Sequence, residues 1–228
     1  MKMKKSDMKL GYIALALAAV MPLQAADTIR LNSKPGSLKV RIEGTSNIHD
    51  WQVEGKLIGG YMEVGQNFPL EPGKAAEPGK VEAKAEAFIP VRSLRSIEKD
   101  GSPYSTKMDD IMFEKLRVTE FDRVVFRLSE MTLKEAAKSK DAPYVFEAKG
   151  EVVVGGVTNA ITMPVSITPL GDNQLKVVGS VGLKMSDFKI EPPAPAIAAG
   201  LIKTGDPVTV KFEWLVVQKK AAAAAPAK

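Results

Sequence analysis

The chain has 228 residues, with 32 basic and 27 acidic side chains, a formal charge of +5 and no cysteine. Without thiols, disulfides, cysteine-bound metal, a thiol nucleophile and a lipid-modified N-terminal cysteine are all excluded. Residues 1–25 hold four of the lysines and one aspartate, so the remainder carries only +2, and no electrostatic case for nucleic-acid binding survives.

The chain starts with Lys2, Lys4, Lys5 and Lys9, continues into the apolar run LGYIALALAAVMPL (Leu10 to Leu23), and then reaches QAAD. A basic start, a short apolar core and small residues at a cleavage point near Ala25 or Ala26 predict a secretory signal peptide over residues 1–25. The run is 14 residues long, short of the roughly 18 to 20 that span a bilayer. The expected location is therefore the periplasm or the secreted fraction.

From residue 38 the apolar residues recur with period two. LKVRIEG sets Leu38, Val40 and Ile42 against Lys39, Arg41 and Glu43, and WQVEGKL sets Trp51, Val53 and Leu57 against Gln52, Glu54 and Lys56. VEAKAEAFI continues with Val81, Ala83, Ala85, Ala87 and Ile89. The runs RVVFRL, YVFEAKGEVVV, AITMPVSIT, LKVVGSVGL and VTVKFEWLVV follow. Alternation of this kind predicts eight half-buried strands in an antiparallel sheet. Gly, Pro, Asn and Asp clusters such as LGDNQ and KTGDP separate them. NFPLEPGKAAEPGK (residues 67–80) is long for a hairpin and predicts an excursion or flexible loop.

One segment breaks the period. In STKMDDIMFEKLRV, Met108, Ile111, Met112 and Leu116 fall on one helical stripe, with Ser105 or Thr106 as cap and Asp109 and Asp110 in the first turn. This predicts one short α-helix between strands 3 and 4. The final KKAAAAAPAK predicts a disordered Ala/Lys-rich tail over residues 219–228.

Eight alternating strands and one helix suggest a closed barrel, which removes exposed sheet edges. Such a barrel either fills with side chains or holds one small ligand. Ala83, Ala85, Ala87, Ala148, Gly150, Gly155 and Gly179 are small residues on an apolar face. They fit unoccupied volume and relief of crowding equally well.

The segment GTSNIHDW holds the sole histidine, His49. Asp50 follows it directly and points to the opposite face of a strand, so a His-Asp relay is geometrically poor. No nucleophile motif accompanies it, and one histidine without cysteine makes a poor zinc site. His49 therefore reads as part of a turn in which Asn47 and Asp50 make turn bonds and Trp51 starts the next strand inward, with a polar position at a cavity mouth as the second reading. No catalytic residue, metal site or cofactor is expected.

The segments GSLKVRIEGTSNIHDWQVEGKL, IPVRSLRS, MDDIMFEKLRVTEFDRVVFRL, GEVVVGGVTNAITMPVSI, VGSVGLKMSDFKIEPP and GDPVTVKFEWLV, in this order, resemble the YceI-like family of exported, lipocalin-like polyisoprenoid-binding barrels. The resemblance covers residues 37–218. It differs from the commonest form in the extended 67–80 loop and in the HDW turn. It implies an all-β, eight-stranded antiparallel lipocalin-like barrel whose apolar interior holds a polyisoprenoid, a quinone-like lipid or a related long-chain amphiphile, for transport or storage. The expected partner is a hydrophobic small molecule or lipid, with transient membrane contact allowed and the oligomeric state open. Candidate lining residues are Trp51, Val53, Ala83, Ala85, Met108, Met112, Phe126, Phe146, Met163, Phe212 and Trp214, with His49 as a polar group at the mouth. The competing expectation is an envelope interaction module with a filled barrel.

Overall fold

The computed structural model describes residues 28–36, 38–194 and 202–218. The expected signal peptide and the expected tail lie outside the described residues.

Twelve strand segments and one α-helix are present among the described residues. The segments are β1 (Thr28–Ser33), β2 (Lys39–Ser46), β3 (Trp51–Gly55), β4 (Gly59–Gly65), β5 (Gly79–Val81), β6 (Ala83–Pro90), β7 (Arg95–Ile97), β8 (Arg123–Glu135), β9 (Tyr144–Val154), β10 (Val157–Gly171), β11 (Gln174–Lys184) and β12 (Thr204–Val217); the helix α1 is Thr106–Lys115. All pairings are antiparallel.

The segments combine into eight staves. Both β1 and β2 run along β12, as Ser33↔Val216 and Lys39↔Glu213 show, so they are one strand interrupted at residues 34–38. Their partners β4 and β3 are likewise one broken strand. The third stave is β5, β6 and β7 in succession: β5 and β6 lie along β8, while β7 pairs with β3. From β8 to β12 the chain meanders, and the β1–β12 pairing closes the ring into an eight-strand antiparallel barrel.

Two expectations need correction. Counted in segments the helix follows β7 and not a third strand; counted in staves it lies between the third, which β7 completes, and the fourth, β8. The 67–80 loop is no loose excursion either. Phe68 and Leu70 are buried, and the Phe68 ring stacks on Phe146 with centroids 5.4 Å apart and planes 7° from parallel. The Tyr144 hydroxyl donates to the Lys74 carbonyl, and the Lys74 ammonium donates to the Phe68 carbonyl at 3.2 Å. Burial pushes the Tyr144 phenol above its usual pKa. The Phe68–Leu70 part thus folds inward and its one ring stacks on Phe146 of β9 to plug one end of the barrel, a packing that stacked pairs favour beyond their buried area, while residues 71–80 stay at the surface.

Helix α1 lies at the other end. Its N-cap is Ser105, whose Oγ accepts from the Met108 N–H. The helix has one buried residue, Asp109, whose carboxylate accepts the Ser96 N–H of β7 at 2.6 Å and stands 3.8 Å from Arg95 Nε. Met108, Ile111, Met112 and Leu116 are only half-buried. An apolar stripe normally disappears into the core; here a polar anchor holds the helix while the stripe faces space.

Candidate functional site

That space is a cavity of about 1050 Å³ in the α1 end of the barrel. Its wall comes from the inward residues of every stave. Val40, Val53, Ala85, Phe126, Met131, Ala148, Met163, Val177, Phe212 and Trp214 belong to it, with Met108, Ile111, Met112 and Leu116 from α1. The segment after β11 closes the same end with Met185, Phe188 and Ile190. The opposite half is solid: Leu31, Leu133, Tyr144, Phe146, Ile167 and Val216 are at most 1% exposed. The barrel is therefore half filled and half hollow.

Small residues act in two ways. Ala85, Ala87 and Ala148 face the cavity and leave volume free. Gly150 and Gly179 do not: the Arg127 carbonyl and the Phe126 ring take the space a side chain at Gly150 would need, and the Phe212 ring takes that at Gly179. Gly155 has φ +54° and belongs to the turn between β9 and β10.

Of the expected lining residues, Trp51, Val53, Ala85, Met108, Met112, Phe126, Met163, Phe212 and Trp214 line this cavity, and so does His49. Two do not. Phe146 sits below the floor in the stack with Phe68, and Ala83 packs half-buried against the core nearer the plugged end. Both have the right strand parity but lie too far from the mouth, and parity carries no information about depth along the barrel. Met62, Ile89 and Val181 share the inward parity and belong to the lining as well; Met131 does too, but only because the register shift between Leu128 and Glu130 reverses the parity of β8. Met185 continues the alternation of β11 (Leu175, Val177, Gly179, Val181, Leu183) one step past its last residue, whereas Phe188 lies outside it.

The mouth is polar. Ser46, His49, Asp50, Glu98, Lys99, Asp100 and Tyr104 border it on the β2–β3 side, with Lys115 and Lys184 elsewhere on the rim. The β2–β3 turn is closed by Ser46: its Oγ donates to the His49 carbonyl at 2.7 Å and accepts from the His49 N–H at 3.1 Å. Asn47, expected to make turn bonds, reaches across to accept the Lys203 N–H at 2.8 Å. Trp51 turns inward as expected, its Nε1–H donating to the Thr45 carbonyl at 3.0 Å.

His49 occupies the rim. Its Nδ1 is 2.8 Å from the Asp50 carbonyl, which can only accept, so the hydrogen of a neutral ring sits on Nδ1. Nε2 is then free to accept from the Tyr104 hydroxyl at 3.4 Å, with the two rings edge to face. That contact joins the β2–β3 turn to the loop before α1. Asp100, on the same loop, accepts both the hydroxyl and the N–H of Ser102, which hold its carboxyl below the usual range. No cluster of three or more His, Asp or Glu side chains able to hold a metal occurs among the described residues.

A family model described as a YceI-like domain matches residues 51–215, most of the chain. The chain belongs to the YceI-like family. Solved structures that share its fold include BcnA of Burkholderia cenocepacia, at 16% identity and a TM-score of 0.58, covering 80% of this chain and 98% of that one, and a polyisoprenoid binding domain from Saccharophagus degradans implicated in plant cell wall breakdown, at 10% identity and a TM-score of 0.57, covering 84% and 99%. At these identities the likeness is one of fold. Among curated proteins, none matches this YceI-like chain by sequence.

Proposed function

We propose that this YceI-like protein is an exported carrier or store for a long-chain amphiphile, a polyisoprenoid or quinone-like lipid, with the tail in the cavity and the head group at the His49–Tyr104 rim. The observation that carries the reading is the hollow half-barrel of about 1050 Å³ with an apolar wall and a polar mouth. Its volume stands at the upper end of the roughly 300 to 1,000 Å³ of small-molecule sites. The polyisoprenoid binding domain that shares the fold supports this ligand class. Export would be directed by residues 1–25, and the working location would be the periplasm or the secreted fraction.

Binding of this kind needs little chemistry. Ten buried methylenes contribute roughly 8 kcal/mol at about 0.8 each, and lost ligand freedom offsets much of it. The open cavity favours this reading over an interaction module with a filled barrel. Native mass spectrometry of the gently purified protein, followed by organic extraction, tests it. A stoichiometric apolar adduct is expected. A clean ligand-free mass from folded protein taken from its own compartment would decide for the interaction module.

A further inference from the structure

Every methionine among the described residues lines this one cavity: Met62, Met108, Met112, Met131, Met163 and Met185. They form two tiers. Met62 stands opposite Ala85 across β4 and β6, while Met131 and Met163 flank Ala148 across β8, β9 and β10. These three are 1 to 5% exposed. Met108, Met112 and Met185 are half-buried at the mouth, the first two on α1 and the third just after β11.

We infer that the mouth tier is an oxidation site, and that a hydroperoxide acting on Met108, Met112 and Met185 weakens the cavity's hold on its ligand. The inference rests on the amphiphile-binding reading above. Each thioether sulfur attacks one peroxide oxygen; the O–O bond breaks and an S–O bond forms. Sulfur loses two electrons, and the other peroxide oxygen leaves as water or an alcohol. The product is a sulfoxide, polar where the thioether was apolar. The polar side chains stand on the rim while the wall on which a tail lies is apolar, so a ligand tail seated against the sulfoxide strips its water without replacing the hydrogen bonds. Met108 and Met112 lie four residues apart on one face of α1, so their sulfoxides are neighbours. The Asp109–Ser96 bond anchors α1, and its inner face is only half-buried, with Met112 and Leu116 packed against the core and also lining the cavity, so water reaches the oxidised sulfurs from the mouth. The chain has no cysteine to compete for the oxidant, and methionine sulfoxide is reducible, so the change is reversible.

Both tryptophans of the chain, Trp51 and Trp214, line the cavity, so a quinone seated there quenches intrinsic fluorescence. The test titrates decylubiquinone into full-length processed protein before and after hydrogen peroxide, with peptide mass mapping of oxygen addition and far-ultraviolet circular dichroism as the fold control. Oxygen is expected at Met108, Met112 and Met185 before Met62. Quinone binding is expected to weaken at least about tenfold, equivalent to about 1.4 kcal/mol, with the barrel spectrum unchanged and affinity restored by methionine sulfoxide reductases. A Met108→Leu/Met112→Leu/Met185→Leu variant is expected to bind the quinone equally well before and after peroxide. Unchanged affinity after mass-verified oxidation, or an equal loss in the triple variant, sinks this inference and leaves the binding reading standing. No quenching in untreated protein sinks both.

Discussion

The ring of Phe212 occupies the space above Gly179, its partner on the neighbouring strand: a methyl group at position 179 would stand 2.4 Å from Phe212 Cζ and 3.1 Å from Val165 Cγ1. Gly179→Ala therefore pushes the ring towards the cavity that Phe212 lines. Overpacking of this kind costs about 1 to 3 kcal/mol. Thermal melts are expected to register that loss, and Gly179→Ala/Phe212→Leu to recover part of it because the obstructing ring edge is gone. A Gly179→Ala protein as stable as the parent would mean that the ring is not held there.

Ala85 faces Met62 across the β4–β6 pair and lines the cavity. An Ala85→Phe side chain projects into space already empty, so the barrel is expected to fold while ligand volume is lost. Tryptophan quenching by decylubiquinone should fall at least about tenfold in affinity, as a blocked apolar site loses its buried methylenes. Retained affinity in a folded variant would place the ligand elsewhere.

Asp109 anchors α1 by accepting the Ser96 N–H at 2.6 Å. Asp109→Ala leaves that buried donor unpaired, at a cost of about 1 to 3 kcal/mol. Hydrogen exchange should accelerate selectively over α1 and β7, with β9 to β12 little changed. Asp109→Asn keeps an acceptor oxygen and is expected to fall between the two. Uniform acceleration across the barrel would deny the anchor its local role.

Glu130 lies between Lys80 and Lys149, at 2.7 and 3.0 Å, and the two ammonium groups hold its carboxyl down at about 2, against an ordinary 4.5. A depressed carboxyl stabilises the fold at pH values above the unfolded pKa; that contribution is lost as pH falls from about 4.5 towards 2. Carbon-detected titration of the Glu130 side chain should give a midpoint near the lower figure. Lys80→Gln and high salt should each raise it, since the group is exposed and screening reaches it. A midpoint that neither change moves would exclude the lysines as the cause.

Alternation marked the staves well wherever a run was long and uninterrupted, as in Tyr144–Val154. It missed Thr28–Ser33, where two apolar residues, Ile29 and Leu31, are too few to make a pattern. It also missed Gly59–Gly65, where two glycines hide the pairing of Met62 and Val64. At the site, parity identifies which residues point inward and does not rank their depth: Phe146 and Phe126 look alike in the sequence, although one plugs the barrel and the other lines its cavity. The glycines were ambiguous for a related reason: whether Gly150 leaves a hole depends on Phe126 of the adjacent strand, and cross-strand register is not written in local sequence. Burial of Phe68 was unreadable because loop composition speaks of polarity, not of destination.

The barrel seam has a kinetic consequence. Closure joins the first stave to the last: Trp214 Nε1–H donates to Ser33 Oγ at 2.7 Å across 181 residues of chain, and β2 pairs with Thr204 and with Val208 to Glu213 of β12. Contacts so distant in sequence are costly to form early. The meander from β8 to β11 can assemble from neighbours, but no ring exists until Thr204–Val217 arrives. One strand therefore seals both ends: β12 pairs with β1 and with β2, and without it neither the plugged half nor the hollow half is enclosed.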